Sequence, residues 1–257
     1  MKRTFTLERN GLSVLCKQTE PDFGDIRRVV LGVHGIGGHS EEAIQTSISE
    51  EMELFYSATL RFDFPGHGDS PEDAFTVTNC VDSLLAVAAY AREQYPEVED
   101  LCIFATGFGA YITLVALDEL LAMPGRVKLV IQTPSVRMHE TLLSMKQVTE
   151  PTLKAMGYTC FARLARPLTV SYECFQQMRE NMVMNNYGVP MLILHGEEDS
   201  YIRMEDIQHF RRINDQSKLV IIPGTSHRFL EEGAWDMVLD LTRDWFEFEQ
   251  VLCCDWE

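Results

Sequence analysis

The feature that most constrains the fold is an unbroken apolar run, Val29-Val30-Leu31-Gly32-Val33, followed by a regular alternation of strand-like and helix-like segments. A strand with one wet face alternates apolar and polar residues, so a continuous apolar run reads as a strand covered on both faces. Beyond it, 41–52 reads as helix, 58–62 as strand and 79–94 as a helix ended by Tyr95-Pro96. The segments 101–105, 108–121 and 127–131 then read as strand, helix and strand. The rhythm resumes with a strand over 189–194, a helix over 204–213, a strand over 219–222 and a helix over 234–248. Ahead of it all, 4–8 and 12–17 flank Asn10-Gly11 as a hairpin. Such alternation specifies the α/β class, a doubly wound and mostly parallel sheet.

Residues 132–188 break the pattern with three prolines, several methionines and aromatics, and short helical patterns without a strong strand. They read as an insertion at the rim of the sheet. The expected division is a core of 1–134 and 187–257 and an inserted lid of 135–186. Met138, Met145, Met156, Phe161, Tyr172, Phe175 and Met178 supply its apolar content, and most of them are expected to hold the insertion together. A minority facing inward, with Met138, Tyr172 and Phe175 as the candidates, would line an adaptable apolar substrate pocket.

The 257 residues suit one domain with such an insertion. No apolar run approaches a membrane span, and the basic start Lys2-Arg3 has no apolar segment behind it, so neither a membrane anchor nor a signal peptide is expected. The seven cysteines are odd in number and lack metal-type spacing, which fits free thiols in a reducing cytoplasm and no metal site. A formal net charge of −17 opposes nucleic acid and anionic membranes as partners, because phosphate binding needs clustered Lys and Arg. The same field tolerates a small neutral ligand better than a polyanion. No dinucleotide or P-loop glycine spacing is present, and no organic cofactor is expected.

Five stretches carry the chemistry. In order they are His34-Gly35-Ile36-Gly37-Gly38-His39, the Arg61–Ser70 segment around Asp63, Ala105-Thr106-Gly107-Phe108-Gly109, His195-Gly196-Glu197-Glu198-Asp199, and Pro223-Gly224-Thr225-Ser226-His227. Each follows a predicted strand, and strand ends of such sheets are where ligands bind. Together and in this order they resemble the α/β-hydrolase family, and within it bacterial lidded serine esterases of the feruloyl or cinnamoyl type, over nearly the whole chain.

That resemblance implies carboxylic-ester hydrolysis. The family's elbow reads small-x-Ser-x-Gly; here Ala105 and Gly109 take the small positions and Gly107 stands where the nucleophilic serine would be. Asp199 is then the acid that orients His227, His227 the general base, and the backbone N–H groups of Ile36 and Phe108 the oxyanion hole. Glu198 competes with Asp199, and His195 is expected to be a structural histidine bonded to backbone. His34 is expected to brace the oxyanion loop, and His39, His67 and His209 to be surface or packing residues. No other hydroxyl or thiol replaces the missing serine: Thr106 is one place early, Cys102 lies inside a strand, and Ser135 opens the insertion. Three readings stay open: a hydrolase disabled by a Ser→Gly change, engineered or natural; a natural binding or sensing protein; and a lyase or cofactor-free oxygenase using His227 and Asp199.

Overall fold

A computed structural model describes residues 1–9 and 11–249; Asn10 of the expected turn, and Cys253 and Cys254, lie outside them. Strands β1 (Lys2–Arg9) and β2 (Leu12–Thr19) pair antiparallel, in the register Arg9↔Leu12. Next come β3 (Arg28–Val33), α1 (Ala43–Leu54), β4 (Ser57–Phe62), α2 (Val77–Gln94) and β5 (Asp100–Thr106). The helix expected over 108–121 is two helices, α3 (Phe108–Val115) and α4 (Leu117–Leu121), divided at Ala116, whose ψ of 3° leaves the helical region. β6 (Arg126–Gln132) precedes the insertion, which contains α5 (Met138–Lys146), α6 (Glu150–Met156), β7 (Tyr158–Phe161), β8 (Leu168–Ser171) and α7 (Tyr172–Glu180). The chain returns through β9 (Met191–Gly196), α8 (Met204–Ile213), β10 (Lys218–Ile222) and α9 (Ala234–Phe248).

The eight-stranded sheet has the order β1-β2-β4-β3-β5-β6-β9-β10, and every pairing from β4 through β10 is parallel. β3 sits where the order reverses, with β4 on one side and β5 on the other. The loops leaving β3 and β5 therefore open away from each other and frame a crevice at the carboxyl edge. Alternate residues of each central strand feed opposite faces. Val30, Cys102, Phe104 and Val130 pack with Ile48 and Met52 of α1 and Val238 and Phe246 of α9. Leu31, Val33, Ile103, Ala105 and Ile131 pack with Leu84 of α2, Tyr111 and Ile112 of α3, and Phe210 of α8. This two-sided burial is why the strands read as continuous apolar runs.

The insertion differs from its expected form in two ways. It holds an antiparallel hairpin, Tyr158↔Ser171 to Phe161↔Leu168, whose four-residue strands are too short to show a period-two signal. Its buried side chains, including Leu142, Leu153, Val170, Phe175 and Met178, also belong to the same core as α2 and α3. Among the described residues no helix is long and apolar enough to cross a membrane.

Candidate active site

Gly107 joins β5 to α3 at φ 50° and ψ −110°, a conformation that L side chains rarely adopt. Its N–H donates to Gln132 O at 2.9 Å, and its carbonyl accepts from Tyr111 N and Ser135 N, each at 3.2 Å. Three backbone bonds thus hold the elbow without help from a side chain. A Cβ built at Gly107 would meet no atom within 4 Å, so the room a serine would occupy is open. Gly109 is the opposite case. A Cβ there would lie 2.4 Å from His34 O and 2.7 Å from Val33 O, so only glycine lets α3 approach β3 this closely.

The loops after β9 and β10 meet because Gly196 also lacks a Cβ, which would stand 2.4 Å from Thr225 O. Their meeting brings Asp199 to His227. His227 Nδ1 donates to Asp199 Oδ2 at 2.7 Å, and Asp199 Oδ1 accepts from Tyr201 N at 2.8 Å and Ile202 N at 3.0 Å. The Asp199 side chain is fully buried. Burial alone would raise its carboxyl, but the His227 hydrogen bond and charge, with the two backbone donors, hold it below the ordinary value. Tyr201 packs its ring against the imidazole at 5.1 Å and 68°. The imidazole is fixed as the Nδ1–H tautomer by its carboxylate partner, leaving Nε2 as the nitrogen free to take a proton. Glu198 makes no hydrogen bond or ion pair with His227, whose carboxylate partner is Asp199; the Glu198 N–H donates to Thr225 O at 2.9 Å.

Ile36, Gly107, Phe108 and His227 line one cavity of about 410 Å³. Phe108 is the first residue of α3, so its N–H has no intrahelical acceptor. Ile36 sits on a turn closed by Gly38 N to Gly35 O at 3.0 Å. His34 braces that turn as expected: Nε2 accepts from Phe64 N at 3.0 Å, so Nδ1 carries the proton and donates to Gly35 O at 2.8 Å. Burial brings the His34 imidazole down to about 4, which keeps it neutral. Asp63 ties the neighbouring loops, accepting from Ser40 N at 2.6 Å and Asp69 N at 3.0 Å.

Several expectations are corrected. Met138 and Phe175 are buried in the core of the insertion, and Tyr172 stacks on Phe175 and donates to Glu150 Oε1 at 3.1 Å. None of the three lines the cavity; from the insertion, Ser135, Thr141, Met145 and Leu164 do. The reason is packing: the apolar faces of α5 and α7 turn toward each other and the core. His195 lies within β9, and its Nδ1 has no hydrogen-bond partner, standing 3.9 Å from Asp199 Oδ2. It fills space behind the acid and does not bond backbone through that nitrogen. His67 is a buried packing residue and His209 is exposed. Ser135, which opens the insertion, lies beside Gly107, its N–H donating to Gly107 O at 3.2 Å, because the turn after β6 folds back onto the elbow. That turn contains Thr133 at φ 43°, strained for a β-branched residue.

Sequence reasoning did not single out Tyr201, Arg228 or Trp235 as cavity residues. Adjacency to Asp199 and His227 could have flagged the first two; nothing local marks Trp235, which arrives at the head of α9. Among the described residues no group of three or more His, Cys, Asp or Glu is placed to hold a metal ion.

A search of the curated proteins finds no match. Among solved structures, Est1E from Butyrivibrio proteoclasticus with ferulic acid bound superposes with a TM-score of 0.79 at 21% identity, covering 97% of this chain and 100% of that one. A soluble variant of monoglyceride lipase from Saccharomyces cerevisiae, in complex with a substrate analogue, gives 0.78 at 15% identity over 96% and 95%. Mouse alpha/beta hydrolase domain-containing protein 10 gives 0.74 at 15% identity over 96% and 100%. At these identities the likeness is one of fold. The model of the alpha/beta hydrolase family matches residues 30–241, from β3 into α9 and through every loop that builds the cavity, and the chain belongs to that family.

Proposed function

We propose that the cavity is a carboxylic-ester site of the serine-hydrolase type in which Gly107 occupies the nucleophile position, so that the protein binds an acyl ligand with little or no turnover. The observation that carries this reading is the 2.7 Å Asp199–His227 pair facing the same cavity as an elbow with open room at residue 107. With a serine there, His227 would take the hydroxyl proton, the alkoxide would attack the ester carbonyl, and the N–H groups of Ile36 and Phe108 would hold the developing oxyanion. Without it no acyl-enzyme forms, and only slow direct attack by a water whose proton His227 takes remains open. The lining of Ile44, Met145, Leu164, Leu230 and Trp235 supports a neutral, aromatic or medium-chain acyl group, in keeping with the ferulic acid held by Est1E. Residues 135–186 act as a lid in this reading, supported by the four insertion residues on the cavity wall. The five described cysteines are free, which supports a reducing compartment.

The test is Gly107→Ser. It is expected to create hydrolysis of short aryl esters at least about 10³-fold above the parent protein, and stoichiometric labelling of residue 107 by an alkyl phosphonate. A folded Gly107→Ser protein that hydrolyses no ester in a broad panel and takes up no phosphonate would overturn the reading.

A further inference from the structure

We infer that the ligand this cavity retains is a free monocarboxylic acid, the product side of ester hydrolysis, with Arg228 as its cation. The inference rests on the reading of the cavity as an acyl-ester site and goes one step beyond it. In an acyl-enzyme the carbonyl carbon carries two oxygens, one on the oxyanion donors and one belonging to the serine. Where residue 107 has no side chain, the second position is empty space, with nothing within 4 Å of where Cβ would stand. A free carboxylate also carries two oxygens on one carbon. It can present one to the N–H at the head of α3 and place the other in the vacated room. An ester puts a carbon substituent on that second oxygen and has no charge.

The donors around the cavity match an anion. The eight-residue helix α3 turns its amino end toward it, and first-turn N–H groups without intrahelical acceptors favour negative charge. His227 offers Nε2, backed by the buried Asp199 carboxylate, and can hold a proton against a ligand oxygen. Arg228, next in the chain, lines the same cavity, is exposed, and has no carboxylate within 4.0 Å among the described residues. In a chain with 39 acidic against 22 basic residues, a guanidinium on a cavity wall without a protein carboxylate is available to a ligand's carboxylate. Two acidic groups also face this region. Asp199 is already bonded to His227 and two backbone N–H groups, and Glu42 lines the wall. Burial raises the Glu42 carboxyl, while His39 and Arg228 pull it back. The overall charge of −17 sets the limit: a polyanion is repelled, whereas one carboxylate can be met locally. Tyr201, Leu230 and Trp235 then cover the acyl chain or ring.

The test is calorimetric titration of the whole protein with 3-phenylpropanoate and with its uncharged isostere 3-phenylpropanamide, repeated with octanoate and octanamide. The acids are expected to bind at least about tenfold more tightly than the amides, a factor of the size a charge-assisted hydrogen bond supplies. Arg228→Gln should remove most of that preference, and rising salt should weaken acid binding but leave amide binding unchanged. Gly107→Ala should weaken the acids about fivefold or more by filling the vacated room. Equal binding of acid and amide would overturn the inference, as would an acid preference untouched by Arg228→Gln. If neither acid nor amide binds while Gly107→Ser is an active esterase, this inference fails and the ester-site reading stands. If neither binds and Gly107→Ser is inert, both fail.

Discussion

Alanine at Gly107 and alanine at Gly109, two positions apart in one turn, should have very different consequences. At Gly107 the new methyl meets nothing within 4 Å, so the cost is conformational only: φ 50° with ψ −110° is a strained pairing for an L residue. Such a residue costs on the order of 1–3 kcal/mol, and the reduced freedom of the unfolded chain returns about 0.4–1 kcal/mol. The net loss is about 1–2 kcal/mol, which for a domain of this size lowers Tm by roughly 2–8 °C. At Gly109 the methyl would sit 2.4 Å from one backbone carbonyl and 2.7 Å from another, and neither can rotate away. Relief requires α3 to withdraw from β3 at the centre of the sheet, costing roughly 3 kcal/mol or more. Scanning calorimetry or urea unfolding of the two variants beside the parent protein measures both. If Gly107→Ala is as damaging as Gly109→Ala, the open room at residue 107 is not there. If Gly107→Ala raises Tm, the elbow is not strained.

Asp199→Asn in a Gly107→Ser background should lower kcat by about 10⁴-fold while leaving the fold intact, since the amide removes the charge that fixes the His227 tautomer; near-normal kcat would refute the pairing. Burial holds His34 down to about 4 and His67 to about 3, both below the ordinary histidine value. Between about pH 6.5 and those values the unfolded chain binds more protons than the folded one. Stability should therefore fall as pH is lowered through this window, by at most about 1.4 kcal/mol per pH unit for each histidine. Urea midpoints at pH 7 and pH 5 check this, and His34→Gln should flatten the dependence. Phe175→Ala should cost about 3–5 kcal/mol with little change in ligand affinity, whereas Met145→Ala should weaken aryl ligands with little change in stability; the reverse pattern would refute the placement of the two residues.

The order of strands and helices was legible in the sequence because it rests on local signals. Runs such as Val29 to Val33 report burial on two faces, and Tyr95-Pro96 ends a helix by backbone sterics alone. The elbow at Gly107 and the positions of Asp199 and His227 were legible for the same reason, since each is a turn directly after a strand. What the sequence could not decide was which positions along one face of an insertion helix reach the core and which reach the cavity. Met138 and Met145 sit on one helix and are chemically alike, yet the first is buried in the core and the second lines the cavity. That choice is made by the packing of α5 against α7 and the sheet, not by either residue. Tertiary structure also laid Ser135 beside Gly107, put His195 behind Asp199, and brought Arg228 and Trp235 to one wall. Ser135 and Gly107 are 28 residues apart, and the other meetings depend on how separate loops fold over the sheet edge, so no local periodicity encodes them. They follow from the parallel register of β5, β6, β9 and β10, which delivers four loops to one edge of the sheet.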